Sequence, residues 1–109
     1  MTNGRWWAAL VTFERRAEGG NAILPIWAVG ACGWMIALAS DEDEARKLLV
    51  RDVEHHSLRV TDIENEQGVI EEAEIAELDD HLAANFRNIG PGSRTVWGTI
   101  HCYKGEGTA

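Results

Sequence analysis

The chain is poor in several things at once. It has two cysteines, two prolines, one tyrosine and only ten lysines and arginines in 109 residues. Two cysteines, Cys32 and Cys102, with no Cys-x-x-Cys, rule out a disulfide framework and a thiolate zinc quartet. A single bridge between the two stays open. Four histidines, His55, His56, His81 and His101, show no His-x₃-His spacing, so no metal and no cofactor is expected. "GACG", Gly30–Gly33, lacks the Lys-Ser/Thr of a phosphate loop, and "GPGSRT", Gly90–Thr95, follows a helix instead of starting one. Basic charge is also scarce: eighteen acids leave a net charge of −8, which repels phosphate backbones. No nucleic-acid partner is expected.

The charge that is there is uneven. Residues 41–80 hold 15 acids and 4 bases, a net of −11, and the remainder nets +3. An acidic middle suits a basic partner, and it equally suits a solvated surface. Met1–Gly4 is polar and no apolar run follows at once, so the expectation is a cytoplasmic protein. Ala22–Ala39 is an 18-residue run without charge, at the lower limit for a membrane helix. Pro25, Gly30 and Gly33 break it into strand-sized pieces, and Asp41–Glu44 flank it with the wrong sign for an anchor. No membrane span is expected, and residues 1–109 are of a size for one domain.

Tryptophan is abundant, with five copies. The first strand, Arg5–Arg15, places Trp6 and Trp7 side by side, so they point to opposite faces. Ala22–Val29 reads as a second strand, near an edge because Pro25 has no N–H. "GACG" reads as a break or kink, and Gly33–Ser40 as a third strand. Ser40 is the expected N-cap of a helix over residues 41–54, with Asp41–Glu44 in its first turn and Ala45, Leu48, Leu49 and Val53 on one face. His55 and His56 fall at its C-terminus, where the dipole favours them.

Ser57–Glu64 reads as a strand and Asn65–Gly68 as a turn. Residues 69–88 admit two readings. One is a single helix with Ile75, Leu78, Leu82 and Phe86 on one face; the other is a hairpin strand, Val69–Ala76, then a helix over 78–88. The turn and the alternation favour the hairpin. Arg94–Tyr103 is the last strand, and Lys104–Ala109 a tail. The fold class is α+β, a mostly antiparallel sheet with two helices packed on one face.

The last strand carries the candidate site. Strict alternation puts Val96, Gly98, Ile100 and Cys102 on one face and Trp97, Thr99, His101 and Tyr103 on the other. The second set combines aromatic bodies with hydrogen-bonding tips. With helices on one face only, this stripe and Trp6 or Trp7 need cover from elsewhere. The expected function is a small acidic interaction module working through this aromatic face, by dimerisation or by binding another protein such as a basic toxin. The alternative is an enzyme or small-ligand binder with a pocket around His101, Trp97 and Tyr103. No catalytic residue can be named.

"WWAALVTFE" (Trp6–Glu14), "ASDEDEARKLL" (Ala39–Leu49) and "EHH" (Glu54–His56) resemble a group of short bacterial domains of unknown function. These open on a Trp-aromatic-x-Ala strand ending Phe-Glu and continue into an acidic, Ser-capped helix. The resemblance covers about the first half of the chain. It implies an α+β domain from a bacterium and carries no site.

Overall fold

The computed structural model describes residues 4–16, 23–69, 72–89 and 92–104. Four strands form one antiparallel sheet in the order β3-β1-β2-β4. They are β1 (Arg5–Arg15), β2 (Gly30–Ala39), β3 (Leu58–Val69) and β4 (Thr95–Tyr103). Helix α1 (Glu42–His55) joins β2 to β3, and α2 (Glu72–Leu78) and α3 (Asp80–Arg87) join β3 to β4. The tail and most of the turn expected after Arg15 lie outside the described residues.

β1 and β2 are central, and their ladder runs unbroken from Arg5↔Ala39 to Glu14↔Gly30. Both strands are apolar on both faces, as strands covered on both sides must be. β1 has the bounds expected from its alternation. Residues 23–29 do not form the expected second strand; they make an irregular turn before β2. Pro25 contributes no N–H to a ladder, and its carbonyl accepts instead from Ala28 N–H at 3.0 Å. "GACG" is not a break but the start of β2. Gly33 is there for close approach: a Cβ would sit 2.4 Å from the carbonyl oxygen of Thr99.

Asp41, not Ser40, is the N-cap of α1. Its carboxylate accepts from Glu44 N–H at 2.8 Å, while the Ser40 N–H and hydroxyl donate to the Glu44 carboxylate at 3.2 and 3.3 Å. The cap thus sits one residue later than the hydroxyl suggested, and Glu44 reaches back to Ser40, the residue before the cap, in a variant of the capping box. His56 is the C-cap.

The hairpin expected at residues 65–76 is absent. β3 runs straight through "NEQG", absorbing Asn65 in a left-handed conformation (φ 56°) where its pairing with β1 shifts between Ala8 and Leu10. Asparagine tolerates that conformation. The following segment is helical, as in the single-helix reading, but divided at Asp79, which caps α3.

The helices do not share a face. α1 packs with Ala45, Leu49 and Val53 on Ala9, Val11 and Phe13 of β1 and Met35, Ala37 and Ala39 of β2. α2 and α3 pack with Ile75, Leu82 and Ala83 on Ala8, Ile36 and Val96 from the opposite side. Adjacent residues Ala8 and Ala9 belong to different clusters, which only a sheet covered on both faces allows. This accounts for the paired tryptophans. Trp7 packs under α1 and donates its indole N–H to Ala39 O at 3.2 Å. Trp6 lies on the other side, edge-on to Phe86 of α3 at 5.2 Å.

Candidate functional site

The strict alternation of β4 fails at Gly98-Thr99. Ile100 pairs with Gly33 and Trp97 with Met35, so β4 has one residue more than β2 between these pairs. This is a β-bulge, which re-aims every side chain beyond it. Trp97, Ile100 and Cys102 all join the α1 cluster. His101 and Tyr103, on either side of Cys102, therefore face the other way.

The expected site set is thus divided. Trp97 is under α1, edge-on to Phe13 at 5.6 Å and to His56 at 5.5 Å. Its indole N–H donates to Asp52 Oδ2 at 2.6 Å, and the Thr95 hydroxyl donates to the same oxygen at 2.8 Å. Thr99 is engaged by Asp79, to which it donates its backbone N–H at 3.0 Å and its hydroxyl at 3.1 Å. Partial burial opposes the charge on Asp79. The donors from Leu82, Thr99 and His81 outweigh it and hold the carboxyl below the usual aspartate value. Trp6 and Trp7 are on opposite faces, each packed against a core.

His101 is exposed, opposite Cys32 in the register. Tyr103 lies over Gly30, where a Cβ would meet its hydroxyl at 2.5 Å. Burial first, and the nearby Glu14 second, push the phenol above its ordinary pKa. Cys32 and Cys102 are both free, and they lie on opposite faces.

A cavity of about 420 Å³ lies at the far end of β2, lined among the described residues by Gly4, Leu38, Gly92, Ser93 and Arg94. A tight slot under α1 is lined by Trp7, Leu49, Ile63 and neighbours. Neither includes Trp97, His101 or Tyr103. Among the described residues, no three His, Cys, Asp or Glu side chains are grouped to hold a metal. No helix of the described chain is long and apolar enough to cross a membrane.

The most conspicuous surface was not anticipated from the sequence. In the turn before β2, Ile26 is 97% exposed, Trp27 53% and Val29 37%. The turn is nonetheless firmly held. Leu24 and Ala28 are buried in the α1 core. The Arg15 guanidinium donates to Pro25 O at 2.8 Å and to Ala28 O at 3.0 Å. Val29 is bracketed by both neighbouring strands: its O accepts from Arg15 N–H at 2.8 Å, and its N–H donates to Tyr103 O at 3.0 Å. The available signal was Pro25 beside two large apolar residues.

No family model matches the chain, and no curated protein or solved structure matches it either.

Proposed function

We propose that the protein is an interaction module whose contact surface is the Ile26–Val29 turn. The observation that supports this reading is the near-complete exposure of Ile26, with Trp27 beside it, on a backbone fixed by Arg15 and by two strands. An isoleucine and a tryptophan in water are unfavourable, and tryptophan is the residue type most enriched at binding hot spots. A rigid turn loses little conformational entropy when it is covered. The surface differs from the aromatic stripe of β4, whose Trp97 is part of the α1 interface. Tyr103 alone of that set adjoins the turn, through its carbonyl.

The test is site-directed photo-crosslinking in the producing cell. A photoreactive phenylalanine at position 27 should give a discrete adduct, and the same residue at exposed Lys47 should give none. An Ile26→Asp change should abolish the adduct. Equal labelling from both positions, or none from either, overturns the reading.

A further inference from the structure

We propose that α2 and α3 form a lid on the sheet: the two helices open together as one unit, while α1 and the four strands stay folded. The inference is independent of the turn before β2. Three observations carry it.

The first is reach. The core under α1 draws on all four strands, through residues such as Val11, Met35, Leu58 and Ile100. Side chains of α1 also bind outward at three places. Glu44 pairs with Arg94, Arg46 with Glu66 of β3, and Asp52 accepts from Thr95 and Trp97 of β4. The core under α2 and α3 is smaller among the described residues, and draws on β1, β2 and β4 through Ala8, Ile36 and Val96. Asp79 and Asn85 tie this layer to the sheet, and both reach the same edge strand, β4.

The second is length. α1 has 14 residues, whereas α2 has seven and α3 eight. Isolated helices shorter than about 12–15 residues are marginal in water. Once Ile75, Leu82 and Ala83 leave their seats, neither short helix holds its shape. Opening is therefore local unfolding of the layer.

The third is the joint between the helices. Asp79 donates its N–H to Ile75 O of α2 at 3.0 Å, and its carboxylate caps α3 at Leu82 N–H at 3.0 Å. The same carboxylate accepts from Thr99 N–H of β4 at 3.0 Å. One residue serves both helices and the strand beneath them, so its release loosens all three contacts at once. That couples the helices and favours concerted opening over separate fraying. β4 stays behind, because it keeps its ladder to β2 and its contacts to Asp52. The open form presents an apolar sheet face with Trp6, Trp34 and Ile36.

Residue-resolved amide hydrogen exchange tests this, under conditions where closing outruns exchange. In the parent, the amides of α2 and α3 should share one opening free energy, below the one shared by α1, β1 and β2. The Thr99 amide is the sharpest case. It lies in β4 but is held by Asp79, so it should exchange with the helices and not with its own strand. Asp52→Ala breaks contacts that opening leaves intact. It should lower the protection of α1, β1 and β2 by about thirtyfold and leave that of α2 and α3 unchanged. Asp79→Ala breaks contacts that opening also breaks, so it should lower protection in both sets by about tenfold or more. If Asp52→Ala fails to fold, Thr95→Val is a milder cut on the same side and should show the same asymmetry. One opening free energy for all three helices overturns the proposal, and so does an equal loss in both sets from Asp52→Ala. A Thr99 amide that stays protected after α2 and α3 have exchanged overturns it as well, in favour of helices that fray one by one.

Discussion

Two aspartates grip β4 from opposite faces, and they do so differently. Asp52, on α1, reaches side-chain donors: the Trp97 indole and the Thr95 hydroxyl. Asp79, at the start of α3, reaches mainly the backbone: it caps the helix at Leu82 N–H and holds the Thr99 N–H, with the Thr99 hydroxyl as a third donor. The first contact depends on which residues β4 carries. The second depends on the path of β4, since it serves the residue that the bulge displaces. One clamp fixes side chains in a core; the other fixes the shape of an edge strand. Asn85, which donates to Trp97 O at 2.7 Å, adds to the second. Together Asp79 and Asn85 occupy backbone groups that an edge strand would otherwise offer to another chain.

Breaking the backbone clamp should have the largest effect. Asp79→Ala removes a cap and leaves Thr99 N–H without its acceptor, for a combined loss of about 3 kcal/mol in a denaturant titration. Because the folded carboxyl lies below its ordinary value of 3.8, its contribution is present above that pH and is lost as pH falls through the lower folded value. The gap between parent and variant should therefore narrow in strongly acid solution. A gap that does not narrow at all would mean that the lost contact does not depend on the charge of Asp79.

Asp52→Ala should come next, at about 2 kcal/mol, the order of leaving a part-buried indole N–H unpaired. Its fluorescence signature separates it from Asp79→Ala: Trp97 emission should shift, because its ring keeps Phe13 and His56 but loses its acceptor. The two losses should add, since the two aspartates share no partner. Strong coupling between them in the double variant would show that β4 moves as one body and that the division into two clamps is wrong.

The smallest effects concern the start of α1, on the Asp52 side. Asp41→Ala should cost about 1 kcal/mol, as a lost N-cap does, whereas Ser40→Ala should stay below about 0.5 kcal/mol. The reverse order in thermal melts would return the cap to Ser40.

The elements with a strong period were legible. β1, α1 and β4 lie within a residue or so of where alternation and helical spacing put them, because burial of one face or both writes a local pattern. What was not legible is what another part of the chain imposes. Gly30 and Gly33 look like punctuation, yet they are there because Tyr103 and Thr99 of β4 approach them, from some 70 residues away. The bulge at Gly98-Thr99, where Asp79 accepts from Thr99, transfers Ile100 and Cys102 to the face of Trp97, so the candidate stripe dissolves. Asn65 and Gly68 suggest a turn, but β1 offers a ladder long enough to override them. The placement of helices on both faces follows from connectivity, although the double apolar face of β1 already contained the hint.

The Arg15 brace has a consequence for how the protein can diversify. Among the described residues its guanidinium donates to carbonyl oxygens, which every residue possesses, and Val29 is held through its own backbone. The scaffold is therefore indifferent to what stands at positions 26 and 27. Substitutions at those two positions should therefore leave the sheet and its cores intact. The turn behaves as a replaceable cassette whose socket is Arg15, the buried Leu24 and Ala28, and the two strand ends that hold Val29.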